Sequence, residues 1–252
     1  MIFGIKIQNI GLFLRYIDMS VFYKNPFRVS MAYQQVYLHF FTYQSHRFWA
    51  FTQMQRAHQP LQKVEGLQFY RMLGTGAGAG FSLRPDFSTY ALLSVWDGED
   101  SKKHFFEQHT LGRQFFERSS KQVAYHLHPI HTHGHWSGQQ PFEAQKPLGG
   151  KPIGVITRAT LQKSRLIDFW RHVPQASEAI KNAEGVHFFK GIGEWPFVQQ
   201  ATFSVWDNKE AIHTFAYKQQ AHADIVRKTK QRKWYKEDMF NRFEILSTTH
   251  TS

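Results

Sequence analysis

The chain contains one block of elements twice, and that repeat restricts its architecture more than any other feature. HRFWAFTQMQRAHQPLQKVEGLQFYRMLG (46–74) runs parallel to IDFWRHVPQASEAIKNAEGVHFFKGIG (167–193), matching Trp49 with Trp170, Gly66 with Gly185 and Gly74 with Gly193. STYALLSVWD, ending at Asp97, then matches QATFSVWD, ending at Asp207, and a Phe follows each at the same step, Phe105 and Phe215. A repeat of this length signals two supersecondary units that bury their apolar faces against one another.

Each copy reads as strand, helix, strand, strand, helix, strand. Val36 to Thr42 and Pro152 to Thr160 are β-branched and aromatic runs, hence opening strands. Leu166, Phe169, Trp170 and Val173 fall at helical spacing, with Pro174 placed to end or kink that helix. Glu210 to Arg227 sets Ile212, Phe215, Ala216, Ala223 and Val226 on one face of a second helix. The first copy is longer by the Gly-rich loop Gly74 to Asp86, which lacks the Gly-Lys-Ser/Thr of a phosphate cradle and reads as a lid or bent connection.

This order predicts an α+β fold: two tandem ferredoxin-like (βαββαβ) units paired within one chain as a dimeric α+β barrel, around a shared apolar pocket. The expected boundaries are an N-terminal extension at 1–33, a first unit at 34–135, a linker at 136–151 and a second unit at 152–252. The extension fits neither repeat and reads as a loose tail or an over-extended reading frame. Its apolar run IGLFL is too short to span a bilayer.

With no Cys, the chain cannot form disulfides, Cys-held iron-sulfur clusters, thiolate-ligated haem or a Cys nucleophile. The formal charge of +12 suits anionic lipid, nucleic acid or an acidic protein. RKTKQRKWYK at Arg227 to Lys236 is the nearest to a charge run, and no nucleic-acid motif accompanies it, so no nucleic acid is expected.

Several residues are candidates for chemistry. His222 lies on the buried stripe of the last helix, as a metal or haem ligand or as a hydrogen-bonded core His. Glu194 ends GIGE beside two glycines, as an acid, base or ligand orienter, or as an ion-pair partner of Arg158 or Arg242. Arg158 alternates with Ile156 and Thr160, which suggests an inward guanidinium holding a carboxylate or a cofactor propionate. His126, His128, His131, His133 and His135 form a His-rich tract, the last three on one face of an extended chain, where a divalent metal could bind.

With these residues assembled, the chain resembles the spheroidene monooxygenase family of carotenoid ketolases from about Val36 to Leu246. HWSGQQPF (135–142), TRAT (157–160), FWRHVP (169–174), GIGEWPFVQQATFSVW (191–206), FAY with His222 downstream, and KWYKEDMFNRF (233–243) carry the resemblance, with GLQFYRMLGTGAGAGF in the first half. The His-rich tract departs from the family pattern.

The resemblance implies a haem-dependent, O₂-using monooxygenase that oxidises an acyclic carotenoid or similar long apolar molecule, with a reduced ferredoxin-type electron donor. Two hydroxylations at one methylene would give a gem-diol that loses water to a ketone. It also implies His222 as the axial ligand of the haem iron, with Arg242 and Trp206 in the cofactor site. Glu194, Arg158 and Gln200 become the catalytic candidates. A cytoplasmic protein, peripheral at the inner face of the membrane, is expected. The alternative is a non-catalytic haem or apolar-ligand binding protein of the dimeric α+β barrel class. A third reading is a divalent-metal protein using the His tract.

Overall fold

Strand β1 (Gln35–Thr42, QVYLHFFT) is buried along almost its whole length, because its inner side chains meet a barrel core while its outer ones lie under helices. The computed structural model describes residues 34–78, 84–195, 198–218, 227–229 and 231–251, apart from the side chains of 173–176 and 217–218. After β1 come α1 (Arg47–Arg56), α2 (His58–Leu61), β2 (Leu67–Gly76), β3 (Pro85–Trp96), α3 (Glu99–Gln108), α4 (Thr110–Arg118) and β4 (Lys121–Gly134). The same order returns as β5 (Ile153–Leu161), α5 (Leu166–Lys181), β6 (Val186–Trp195), β7 (Gln199–Trp206), α6 (Lys209–His213) with a π turn at Thr214–Lys218, and β8 (Tyr235–Thr251).

The eight strands close into an antiparallel barrel in the order β1-β3-β2-β6-β7-β5-β8-β4. Closure leaves no free sheet edge. The two halves join at two seams. One is short, pairing Gly74 with Gly193 and Thr75 with Ile192 between β2 and β6. The other is long, with β4 and β8 in register from Gln122/Thr251 to Gly134/Met239.

The repeated sequence features perform repeated structural work. Trp96 Nε1 donates to Ser94 Oγ at 3.0 Å and Trp206 Nε1 donates to Ser204 Oγ at 2.8 Å, so each SVW motif satisfies its own buried indole N–H two residues back. Gly66 (φ 76°) and Gly185 (φ 75°) turn the chain into β2 and β6 in the left-handed region, each accepting from the backbone N–H of the Asp that closes the next strand.

Side chains from all eight strands fill the barrel. Val36, Leu38, Leu93, Ile156, Phe203 and Phe243 belong to one inner cluster, and Tyr125 and Phe203 meet edge to face with ring centroids 4.8 Å apart. Among the described residues the barrel interior is therefore a packed core, as in eight-stranded barrels generally. Outside the barrel, α1 to α4 cover the first half around Trp96, Phe105 and Phe115, and α6 with the π turn after it packs Ile212 and Phe215 onto Trp206, Ile153 and Val155.

Three local expectations change. Helix α5 runs past position 174 to Lys181, so of the two effects expected of Pro174, an end or a kink, the end does not occur. The loop between β2 and β3 is shorter than Gly74 to Asp86, because both ends of that segment pair in strands. Of the helix expected over Glu210 to Arg227, Lys209–His213 is α-helical, Thr214–Lys218 is a π turn and Arg227 is again helical, while 219–226 lie outside the described residues, as do 1–33. No helix among the described residues is long and apolar enough to cross a membrane.

Candidate functional site

At one end of the barrel, charged side chains point inward among apolar ones. On β2, Arg71 shares the inner stripe with Phe69 and Leu73, and on β5 Arg158 shares it with Ile156, which brings two guanidinium groups into the mouth of the core. Arg158 is 3% exposed. Unpaired charge so placed would be expensive.

Two carboxylates answer them. Glu194, at the end of β6, sits 3.0 Å from Arg71 Nε and accepts from Trp136 Nε1 at 2.7 Å. Glu237, at the start of β8, pairs with Arg158 and accepts from the backbone N–H groups of Ser137 (2.9 Å) and Gly138 (2.8 Å). Burial alone would raise the Glu237 pKa, but these donors and Arg158 hold it below the usual range. The Arg71 pKa is lowered by burial in the first place, against the attraction of Glu194.

Between the two arginines lies the indole of Trp136, with Arg158 Cζ 5.6 Å and Arg71 Cζ 6.0 Å from its ring. Trp136 and Phe142 come from the segment after β4 and stopper the barrel, Phe142 resting 5.0 Å from Phe243. Asn241 is fully buried on the inner face of β8, opposite Thr132 and Ile156, and neither its Oδ1 nor its Nδ2 has a hydrogen-bond partner. Arg158 Nε is likewise buried without a hydrogen-bond partner. The mouth thus offers hydrogen-bonding atoms to a small polar group or to water.

Of the six sequence candidates, the structure brings Glu194 and Arg158 together at this mouth. Glu194 pairs with Arg71, and the partners expected for it, Arg158 and Arg242, are engaged elsewhere or face away. Strand alternation puts Gln200, Trp206 and Arg242 on the outer, helix-covered face, since their neighbours Ala201, Val205 and Phe243 point inward. Trp206 is 2% exposed and packs 5.1 Å from Phe215. Arg242 lies beside Val155, and its Nε is buried without a hydrogen-bond partner. His222 lies outside the described residues.

Arg71, Trp136, Glu237 and Asn241 were missed. A signal for Arg71 existed, because F-x-R-x-L places it on a buried strand face; Glu237 and Asn241 alternate in the same way with Met239 and Phe243. Within the His tract, a register shift between Pro129 and His131 divides the histidines, and no group of three or more metal-ligating side chains exists among the described residues. A cleft of about 400 Å³ opens on the outer face of the first half, where α3 and α4 meet the sheet beside Tyr37, His39, Phe106 and Phe116.

Fold and site together define an α+β protein with an eight-stranded antiparallel barrel, consistent with the dimeric α+β barrel class, whose apolar interior is closed at one end by paired charges. An aldoxime dehydratase in complex with butyraldoxime has a similar fold, with a TM-score of 0.54 at 12% identity, covering 86% of this chain and 82% of that one. No family model matches the sequence. The spheroidene monooxygenase of Rhodobacter capsulatus is 28% identical over 203 residues, 79% of this chain and 84% of its own length. That of Cereibacter sphaeroides is 30% identical over 204 residues, 80% of this chain and 63% of its own length. Over about four fifths of its length the chain is thus similar to proteins named spheroidene monooxygenase.

Proposed function

We propose that the chain is a monooxygenase that introduces a hydroxyl and then a keto group into an acyclic carotenoid or a similarly long apolar molecule. Haem would be its cofactor and a reduced ferredoxin-type protein its electron donor. The supporting observation is the similarity to proteins named spheroidene monooxygenase along about four fifths of the sequence. The repeated element order supports the finer reading of two ferredoxin-like units at 34–135 and 152–252, joined by 136–151.

In this reading each hydroxylation inserts one oxygen atom of O₂ into a C–H bond and sends the other to water, using two electrons from the donor and two protons from solvent. A second round at the same carbon gives a gem-diol, which loses water to leave the ketone.

Haem would be held on the outer face of the second half. Arg242 Nε is buried there without a hydrogen-bond partner, which suits a propionate, and Gln200 and Trp206 share that face. Lacking Cys, the chain would use a ligand such as His222. When bound, haem supplies the activation of O₂. Arg158, paired with Glu237 inside the mouth, acts as a positioning residue that ties β5 to β8, the strand whose opposite face carries Arg242, and Glu194 ties β6 to β2.

The test is the purified protein supplied with haem. A Soret band that weakens in Arg242→Leu and is lost in His222→Ala is expected; no Soret band and no bound iron would overturn the cofactor assignment.

A further inference from the structure

The cleft on the outer face of the first half has a floor whose polar groups are not all paired. His39 on β1 is in register with Ala124 on β4, and Phe41 with Gln122, so strand alternation gathers His39, Ala124 and Gln122 beneath α3 and α4. Gln122 Nε2 donates to the Phe116 carbonyl at 3.0 Å and to Ser119 Oγ at 2.9 Å, which orients the amide and leaves Oε1 buried without a hydrogen-bond partner. His39 is 5% exposed, and its Nδ1 is buried without a partner as well. Buried polar atoms are otherwise almost always satisfied, so two of them beside one cleft mark a place for a bound polar group.

The surroundings say what should carry that group. Phe106, its ring 4.7 Å from that of His39, walls the cleft together with Phe116 and Tyr37, which suits an aromatic body. The charges balance. Lys102 and the Tyr37 hydroxyl are both engaged by Glu99, and the exposed Lys103 and Glu107 bring opposite charges to the rim. His39 itself is neutral, since burial pushes its pKa down to about 3. A neutral ligand is therefore favoured. Gln122 Oε1 requires a donor, and a neutral imidazole donates or accepts according to its tautomer; a hydroxyl satisfies both at once.

We propose that this cleft binds a small, neutral aromatic molecule carrying a hydroxyl, which donates to Gln122 Oε1 and bonds with His39 between the rings of Phe106, Phe116 and Tyr37. The proposal goes beyond the reaction assigned above and is read without haem or turnover.

The test is an NMR titration of the full chain with para-ethylphenol, with its methyl ether para-ethylanisole and with para-ethylbenzoate. The native chain should bind the phenol at least about tenfold more tightly than the ether or the anion. Gln122→Met keeps the side-chain length and removes the acceptor, so it should bind the phenol about tenfold more weakly and the ether as the native chain does. Ala124→Leu fills the floor and should abolish binding of both with the circular dichroism spectrum unchanged. A native chain that does not bind the phenol, or that binds the ether equally well, overturns the proposal. So does native affinity for the phenol in either folded variant, which would put the molecule elsewhere, as on the exposed rings of Phe48 and Phe51.

Discussion

Arg71 and Glu194 reach each other, Nε to Oε1 at 3.0 Å, across the seam where the two halves of the barrel meet, close to the point where Gly74 and Gly193 pair. The seam also carries Lys190 to Asp86, so each half extends a cation from its second strand to a carboxylate near the other's strand end. These pairs hold together a junction with only two residue pairs in register.

Removing one partner therefore costs more than removing both. Glu194→Ala strands Arg71 and the Trp136 indole N–H in a largely buried place, and should lower unfolding free energy by about 2–4 kcal/mol. Arg71→Leu combined with Glu194→Leu should cost less than the sum of the single changes. Urea unfolding of the four proteins in the cycle measures this, and strict additivity would contradict the pairing.

The turning glycines should be sensitive and equivalent. A Cβ at Gly66 would lie 2.3 Å from Ser101 Oγ, and one at Gly185 would lie 2.8 Å from the Ala211 Cβ, both at positive φ. Gly66→Ala and Gly185→Ala should each lose about 1–3 kcal/mol. Gly98→Ala, where a Cβ meets nothing within 4 Å, should stay near native. Thermal denaturation distinguishes these outcomes.

Ser94→Ala and Ser204→Ala each leave a buried indole N–H without its acceptor. Each should cost about 1–2 kcal/mol, by the same mechanism in both halves. A neutral result at either serine would show that the SVW motif has another purpose there.

His39 should give folding an acid limb. It is buried against Phe41 and Phe106, with Lys102 nearby, and burial pushes its pKa down from 6.5 to about 3. Between those values the unfolded chain binds more protons at this site than the folded one, so stability falls as pH drops from 6.5 toward 3. The slope is at most about 1.4 kcal/mol per pH unit. His39→Leu should flatten that limb; an unchanged pH profile of the urea midpoint would contradict the assignment.

The repeat made much of the fold legible. Trp49 and Trp170 do sit on equivalent helices, and Gly74 and Gly193, equivalent in sequence, are direct register partners. Strand alternation correctly turned Arg158 inward. It could not choose the partner of Glu194, because β2 and β6 are far apart in sequence and meet only once the barrel has closed. Packing of the interior was equally invisible, since the same Phe and Trp content can line a chamber or fill it. Pro174 misled for a local reason: its cost to a helix is real, but the apolar face of α5 continues beyond it to Ala179 and Ile180, which pack with the second-half core.

The most direct test of the functional account is expression of the chain in a host that accumulates an acyclic carotenoid, grown under ¹⁸O₂, with mass analysis of the pigments. The account predicts a pigment that has exchanged two hydrogens for one oxygen, preceded by a hydroxylated intermediate labelled from O₂. A folded protein, supplied with haem and a ferredoxin-type reductant, that leaves the pigment mass unchanged would contradict it.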